Sequence, residues 1–424
     1  MVETWFEETV FEALTDDRAG DGGLSDHAAR AEPGSFLRHA VALSMSKLAD
    51  DLLSPKLVLS WLLTTLGAAN VLIGLLVPIR ESLALLPQLF TAPRIQAMAR
   101  RKRAWAAGAL VQGLACAGIV VAALTLTENA AGVAVCVLLA VLATARSICS
   151  VSYKDVLGKT VGRSRRGSVT GFAASVASVG VIGFALLILV SGGASMGLVA
   201  GGLTLAAVLW LGAGAVFATL SEEATPGASE GTPWAQLGLL RQDANLRVFL
   251  WARGLLTATA LAPPYLVVLG SAGGAFDRLG ALLLASAAAS FVSSYLWGRM
   301  ADRSSRQVLM ASGIVGAAGL AMAPAFALAG VAGTWWALPA ALFVLMVAYH
   351  GVRQGRSTYL VDMAPDGRRS AYTAVSNTVI GVVLMGSGVF GAVASLAGAS
   401  VTLWIFAAMS LAAAAVASRL DEVE

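Results

Sequence analysis

The stretch Gly298-Arg299-Met300-Ala301-Asp302-Arg303-Ser304-Ser305-Arg306 decides how the rest of the chain is read. It sets three arginines and one aspartate in nine residues, after twenty residues (279–298) without Asp, Glu, Lys or Arg. On its other side, 307–352 is again free of those four types. A short basic hinge between two long apolar runs is what the positive-inside rule expects of a cytoplasmic loop joining two membrane helices.

Composition points the same way. Of 424 residues, 57% are hydrophobic and 13% charged, with a mean hydropathy of +0.77; a soluble domain carries about 25% charged residues. The four charged types are absent over 57–79, 104–127, 129–145, 167–221, 254–276, 279–298, 307–352 and 370–418. A membrane helix needs about twenty apolar residues. The three longest runs therefore hold two spans each, broken at Ser191-Gly192-Gly193, near 330–333 and near Gly398. With a further apolar run at 82–98, interrupted by Arg94, the sequence predicts an all-α integral membrane protein of twelve transmembrane helices. Glu3, Glu7, Glu8 and Glu12 stand where a signal peptide needs basic residues, so 57–79 is expected to insert uncleaved. Cys116, Cys136 and Cys149 fall inside spans without metal-ligand or redox spacing, and no cofactor or metal site is expected.

Lys and Arg gather at 100–103, 154–166, 299–306 and 353–369, while only Arg80 and Arg278 fall in loops of the other parity. Both termini are then expected in the cytoplasm. Membrane insertion accounts for where the basic residues sit, so the net charge of +4 gives no reason to expect nucleic-acid binding. Residues 1–56 hold 11 of the 25 acids and read as a cytoplasmic lead-in. Its second amphipathic stretch, Phe36 to Leu53, is expected to rest on the inner face of the bundle. A six-helix half follows over 57–220, a polar cytoplasmic linker over 221–246, a second half over 247–419 and a short tail over 420–424. In this reading Asn70 lies near mid-depth of the first span, and Val77-Pro78-Ile79-Arg80-Glu81-Ser82 is a tight outer turn. An exposed Arg80–Glu81 pair there would contribute ~1 kcal/mol at most. No carboxylate then falls in the middle of a span.

The halves echo each other. Arg146 leads into Tyr153 and Asp155 at the inner end of the fourth span. Arg353 and Arg356 lead into Tyr359 and Asp362 at that of the tenth, about 206 positions later. A basic pair opens the next helix in both cases, Arg165-Arg166 and Arg368-Arg369. Parallel six-helix repeats leave such a trace.

The pattern Gly298-x-x-x-Asp302-Arg303-x-x-Arg306 resembles the signature loop of the major facilitator superfamily of transporters, and the likeness covers about 57–419. Ser305 stands where that family usually has glycine, and Gln307 where it has a second basic residue. The first-half loop, Arg94 to Arg103, keeps positive charge but lacks the aspartate and the paired glycines. Arg146 resembles the family's fourth-helix arginine without the glutamine-glycine that often follows; Arg353-Gln354-Gly355 carries that sequence in the second half.

The resemblance implies two pseudo-symmetric six-helix halves that rock about a central cavity lined by helices one, four, seven and ten. It would make Gly298, Asp302, Arg303 and Arg306 a gating loop. Tyr153, Asp155, Arg353, Arg356, Tyr359 and Asp362 would form a charge network at the inner helix ends. Candidate cavity residues are Asn70, Arg146, Arg253, Tyr265, Tyr349 and His350. The glycines of the fifth span (Gly171, Gly180, Gly183) and the eleventh (Gly381, Gly386, Gly388, Gly391) would lie between the halves. Two cavity arginines without a matching acid suit an anion, because guanidinium grips carboxylate or phosphate with paired donors.

The function implied is alternating-access transport of a small anionic or amphiphilic solute across a bacterial cytoplasmic membrane. The protein would be a monomer whose partners are that small-molecule substrate and the lipid bilayer. A membrane enzyme is disfavoured, because three histidines and no clustered acids leave no catalytic set. The alternative is a transporter-shaped receptor that uses its acidic first 56 residues to bind a partner.

Overall fold

The computed structural model describes residues 26–162, 165–224, 238–271, 279–301, 303–365 and 369–423, and every regular element among them is helical. The first half contains α1 (Glu32–Leu53), α2 (Val58–Thr65), α3 (Asn70–Leu85), α4 (Gln88–Gln96), α5 (Lys102–Thr125), α6 (Glu128–Thr160), α7 (Arg166–Val190) and α8 (Met196–Ala218). The second half contains α9 (Ala244–Leu256), α10 (Ala258–Leu261), α11 (Pro263–Ser271), α12 (Leu279–Ala301), α13 (Ser305–Leu328), α14 (Ala337–Met363), α15 (Arg369–Gly386), α16 (Val389–Ala397) and α17 (Ala399–Ala417). Among the described residues eight helical segments are long and apolar enough to cross a membrane, and the bent pair α3–α4 makes a ninth. This is a multi-pass membrane protein.

The start of the bundle differs from the sequence expectation. α1 is not a helix lying on an inner face: it packs lengthwise against α7 and α8, with Phe36, Leu52 and Leu53 fully buried. Lys47, Asp50 and Asp51 hid it, because three charges within five residues break the apolar run that hydropathy looks for. The expected lead-in of 1–56 therefore loses its second stretch to the bundle, while its first, 1–25, lies outside the described residues.

The chain turns at Gly67-Ala68-Ala69. Gly67 takes φ +78°, a left-handed conformation that glycine adopts without a Cβ clash. The Leu66 carbonyl there accepts the Glu128 N–H at 2.8 Å, and the Ala69 N–H donates to Asn129 Oδ1 at 2.9 Å. The stretch 77–82, expected as a tight turn, instead runs through the interior of α3 with Pro78 inside the helix. Asn70 is accordingly the first residue of α3 beside the turn, not a mid-depth group, and Arg80 and Glu81 move from a turn to mid-helix.

Two helices are broken near their middles. α1 stops at Leu53 because Pro55 has no N–H to continue the ladder. The Ser54 carbonyl then collects the N–H groups of Leu57, Val58 and Leu59 at 3.2, 2.9 and 3.1 Å. The matching segment of the second half is split at Thr257 and again at Ala262, before Pro263. Irregular backbone at membrane depth is tolerated only where protein or a cavity surrounds it.

Each half is clasped at its basic end by a glutamate that follows its last helix. Glu222 takes the Arg101 and Lys102 N–H groups at 3.0 and 2.8 Å at the start of α5, and Lys159 lies 3.5 Å away. Glu422 does the same work at the start of α13, through Ser304 Oγ at 2.5 Å and Arg306 at 2.9 Å. Carboxylates complement the positive ends of helix dipoles there.

Contacts between the halves lie toward the opposite, turn-bearing end and the middle, through α3 with α15 and α16, α2 with α11, and α7 with α12. The tightest is a glycine crossing: a Cβ on Gly74 would stand 2.5 Å from the Gly391 Cα and 2.7 Å from the Tyr265 hydroxyl. Gly381 and Gly388 face Leu86 and Leu75 across the same seam. Gly180 packs on Leu48 within its own half, and a Cβ added at Gly171, Gly183 or Gly386 would meet nothing within 4 Å among the described residues.

Candidate functional site

Halfway along the bundle, the broken α1, the middle of α3, α6 and α14 bring charged side chains together. Asp50 sits on the last full turn of α1 and holds two guanidinium groups, Arg80 Nη2 at 2.5 Å and Arg146 Nη2 at 2.7 Å. Arg146 also donates to Ser46 Oγ at 3.3 Å, one helical turn before Asp50. The Asp50, Arg80 and Arg146 side chains are 18, 13 and 31% exposed, so this triad is largely out of water. Ionised side chains in a membrane interior cost about 3 kcal/mol each when unpaired. A shared carboxylate with short, charge-assisted hydrogen bonds offsets much of that cost.

A second group forms where α1 breaks. Lys56 Nζ lies 3.7 Å from Glu81 and 3.6 Å above the centre of the Tyr349 ring, a cation–π contact. Tyr349 meets His350 edge-on at 5.4 Å. Arg353, one turn further along α14, is exposed, and among the described residues no hydrogen bond or ion pair holds its side chain. It lies within electrostatic range of Asp50, Asp51 and Glu81. Asp51 is exposed too and faces a cavity of about 200 Å³ together with Ser54, Lys56, Tyr349, His350 and Arg353. His350 and Arg353 also line an adjoining cavity of about 370 Å³ with Ser290, Ser293, Trp297, Gln354, Arg356 and Ser357. Trp297 is fixed as a wall by its indole N–H, which donates to the Val347 carbonyl at 2.8 Å.

The residues expected at the cavity divide. Arg146, Tyr349 and His350 lie in this central layer. Arg253 lies beside it but is spoken for: its guanidinium donates to Ser376 Oγ at 2.5 Å and Asn377 Oδ1 at 3.1 Å, and it is 6% exposed. Tyr265 is 2% exposed, packed edge-on to Phe406 at the glycine crossing between the halves, away from the cavity. Asn70 stands beside the turn at Gly67. The expectation that no carboxylate lies in mid-span is overturned by Asp50, Asp51 and Glu81, each in the middle layer of the bundle.

The expected inner-end network also divides. Asp155 pairs with Arg101 and, at 2.8 Å, with Lys159. Tyr153 packs near His39 and Phe217, and its hydroxyl has no hydrogen-bond partner among the described residues. Tyr359 accepts from Asn245 Nδ2 at 2.9 Å, lies 3.0 Å from the Asp421 carbonyl and stacks on Phe249. Asp362 is exposed at the end of α14. Arg353 and Arg356 are not at the inner end at all; they line the central cavities. In the second-half loop, Gly298 lies within α12, Arg303 is exposed and Arg306 pairs with Glu422, whereas Asp302 falls outside the described residues.

A first span at 57–79 leaves Lys47, Asp50, Asp51 and Lys56 in a lead-in and Arg80 and Glu81 in a turn, so none of the six is legible as a site residue from the sequence. Their signal is Ser54-Pro55 amid a charged, otherwise apolar stretch, since interrupted helices mark binding sites in transporters built from repeats.

No family model matches the sequence, and no curated protein matches it. The fold does match solved structures. A mutant of the nucleoside transporter NupG is 14% identical and superposes with a TM-score of 0.69 over 91% of this chain and 100% of its own. The inward-open xylose transporter XylE from E. coli gives 10% identity and a TM-score of 0.67, covering 92% of this chain and 96% of its own. A POT family transporter in complex with a thioalcohol-conjugated peptide gives 9% identity and 0.67, covering 90% and 94%. At these identities the likeness is one of fold: the chain shares the helical fold of these transporters.

Proposed function

We propose that this chain is a secondary transporter that moves a small anionic solute across the membrane by alternating access of two six-helix halves. The reading has twelve spans, with the basic end and both termini on the cytoplasmic side. The observation that carries it is the charge balance of the central layer. Six cations (Lys47, Lys56, Arg80, Arg146, Arg353, Arg356), with Arg253 beside them, meet three carboxylates (Asp50, Asp51, Glu81). Asp50 is shared by two arginines and Glu81 is engaged by Lys56, which leaves Arg353 in the cavity wall without a bonded partner among the described residues. An anion with a planar or tetrahedral oxygen head would meet Arg353 and Arg356 as paired donors and Ser290, Gln354 and Ser357 as neutral ones. The glycine crossing brings the halves together toward the turn-bearing end, and the cavity residues Gln354 and Ser357 lie on the side of the basic end, which fits a conformation open to that end.

The test is thermal stabilisation of the purified protein against carboxylates, phosphorylated compounds, sugars, amino acids and lipophilic cations, since a ligand of the folded state raises the melting temperature. The reading expects stabilisation by anions that disappears in Arg353→Gln. Stabilisation by neutral solutes or cations alone would overturn it. The receptor alternative loses one of its two stretches, because 32–53 is built into the bundle; its more acidic stretch, 1–25, lies outside the described residues.

A further inference from the structure

A large cavity among the described residues shares no lining residue with the charged layer. It is an apolar groove of about 1010 Å³ on the outside of the first half, floored by α5 and α6 and flanked by α4. α4, which flanks it, is bent by 40° from α3 at Leu86–Pro87. Val111, Val137 and Val141 stand exposed along it, and Ala107, Gly108, Ala140 and Ala145 form a floor of small residues. Such a lining offers water little to bond with and is suited to bilayer hydrocarbon.

One end of the groove is different. Arg94, in the last turn of α4, and Arg103, in the first turn of α5, both line it and are both exposed. Neither has a hydrogen bond or ion pair among the described residues, whereas neighbouring Arg101 is tied to Asp155. The nearby acids are already engaged, Glu222 by the start of α5 and Asp155 by Arg101 and Lys159. An apolar trough that ends in two uncommitted guanidiniums at the basic end is complementary to an acyl chain with an anionic head.

We propose that this groove is a binding site for one anionic phospholipid of the surrounding leaflet, an acyl chain lying along Val111, Val137 and Val141 and the phosphate held between Arg94 and Arg103. The site is independent of the transport reading, because none of its residues faces the central cavities.

Native mass spectrometry of the full-length protein, delipidated and titrated with phosphatidylglycerol or phosphatidylcholine, tests it. Phosphatidylglycerol should be retained preferentially, and the preference should fall roughly fivefold for each arginine removed in Arg94→Gln and Arg103→Gln. Ala140→Leu, which fills the floor, should reduce retention of phosphatidylglycerol while both arginines remain. Inorganic phosphate at millimolar concentration should not displace the lipid. Equal retention of the two lipids, an unchanged preference in the double variant, or full retention in Ala140→Leu would overturn the proposal. Displacement by inorganic phosphate alone would also overturn it, by showing a free-anion site. Arg94→Lys and Arg103→Lys, which keep the charge, should keep the preference, and their failure to do so would equally count against it.

Discussion

Asp50 is the counter-charge for two guanidiniums at once, and that sharing has a measurable consequence. Asp50→Asn keeps the shape and removes the charge, leaving Arg80 and Arg146 facing each other in a largely dry layer. Breaking a buried pair by removing one partner costs about 3–5 kcal/mol. The melting temperature in detergent should therefore fall clearly, and an unchanged value would show that the triad is not the buried unit described. Adding Arg80→Gln to Asp50→Asn should recover part of the loss, since coupled residues are not additive. A double variant that loses the sum of the two single losses would contradict the coupling. Arg353 presents the opposite case. It is exposed and carries no bonded partner among the described residues, so Arg353→Gln should leave the melting temperature within about a degree while weakening anion binding at least tenfold, one charge-assisted pair contributing roughly 1.5–3 kcal/mol. The family resemblance made Arg146, Tyr349 and His350 legible as cavity candidates, because it implies that helices four and ten line the cavity. It left Asp50 and Asp51 illegible because a helix with charges in its middle looks, by hydropathy, like a surface helix.

At the scale of elements, the broken helices are the informative ones. Pro55 splits the first helical path and Pro263 the seventh, about 208 positions later, close to the 206-residue offset between Tyr153 and Tyr359. The repeat thus contains the true position of the first span: the seventh begins at Ala244, and its counterpart one repeat earlier falls inside α1, well before 57. Uncharged runs mark where apolar segments lie, but they cannot mark a span whose charges pair with partners distant in sequence. The turn at 67–69 was masked for a similar reason. Gly67-Ala68-Ala69 carries no charge, while Pro78, Arg80 and Glu81 mimic a loop from inside a helix. The element that joins the halves can also be tested. Gly74→Leu would put a side chain where the Gly391 backbone lies 2.5 Å from the Cβ position, so the turn-bearing end must part. With the three native cysteines replaced, Leu75→Cys should become reactive to an impermeant maleimide in the Gly74→Leu background. No gain in labelling would mean that the crossing does not hold that end shut.

At the scale of the whole molecule, two halves with their own clasps, Glu222 in one and Glu422 in the other, meet across a seam of glycines and leave a charged cavity between them. The ion pairs Arg101–Asp155 and Arg165–Glu32 in the first half and Arg306–Glu422 in the second each join residues of one half, so each half can turn as a body without breaking them. Glu222→Gln should therefore loosen the start of α5, seen as faster amide exchange over 101–105, without altering exchange over 304–308. Matching changes in both halves would argue against independent clasps. The central claim is that the middle layer carries an anion from one side to the other, and flux tests it most directly. The purified protein would be reconstituted in liposomes loaded with an anion that stabilises it, and uptake of the labelled anion would be followed for wild type and Arg353→Gln. The account predicts saturable, protein-dependent exchange in the wild type and its loss in Arg353→Gln. Anion exchange that survives this substitution unchanged, or exchange of neutral solutes with no response to anions, would contradict it.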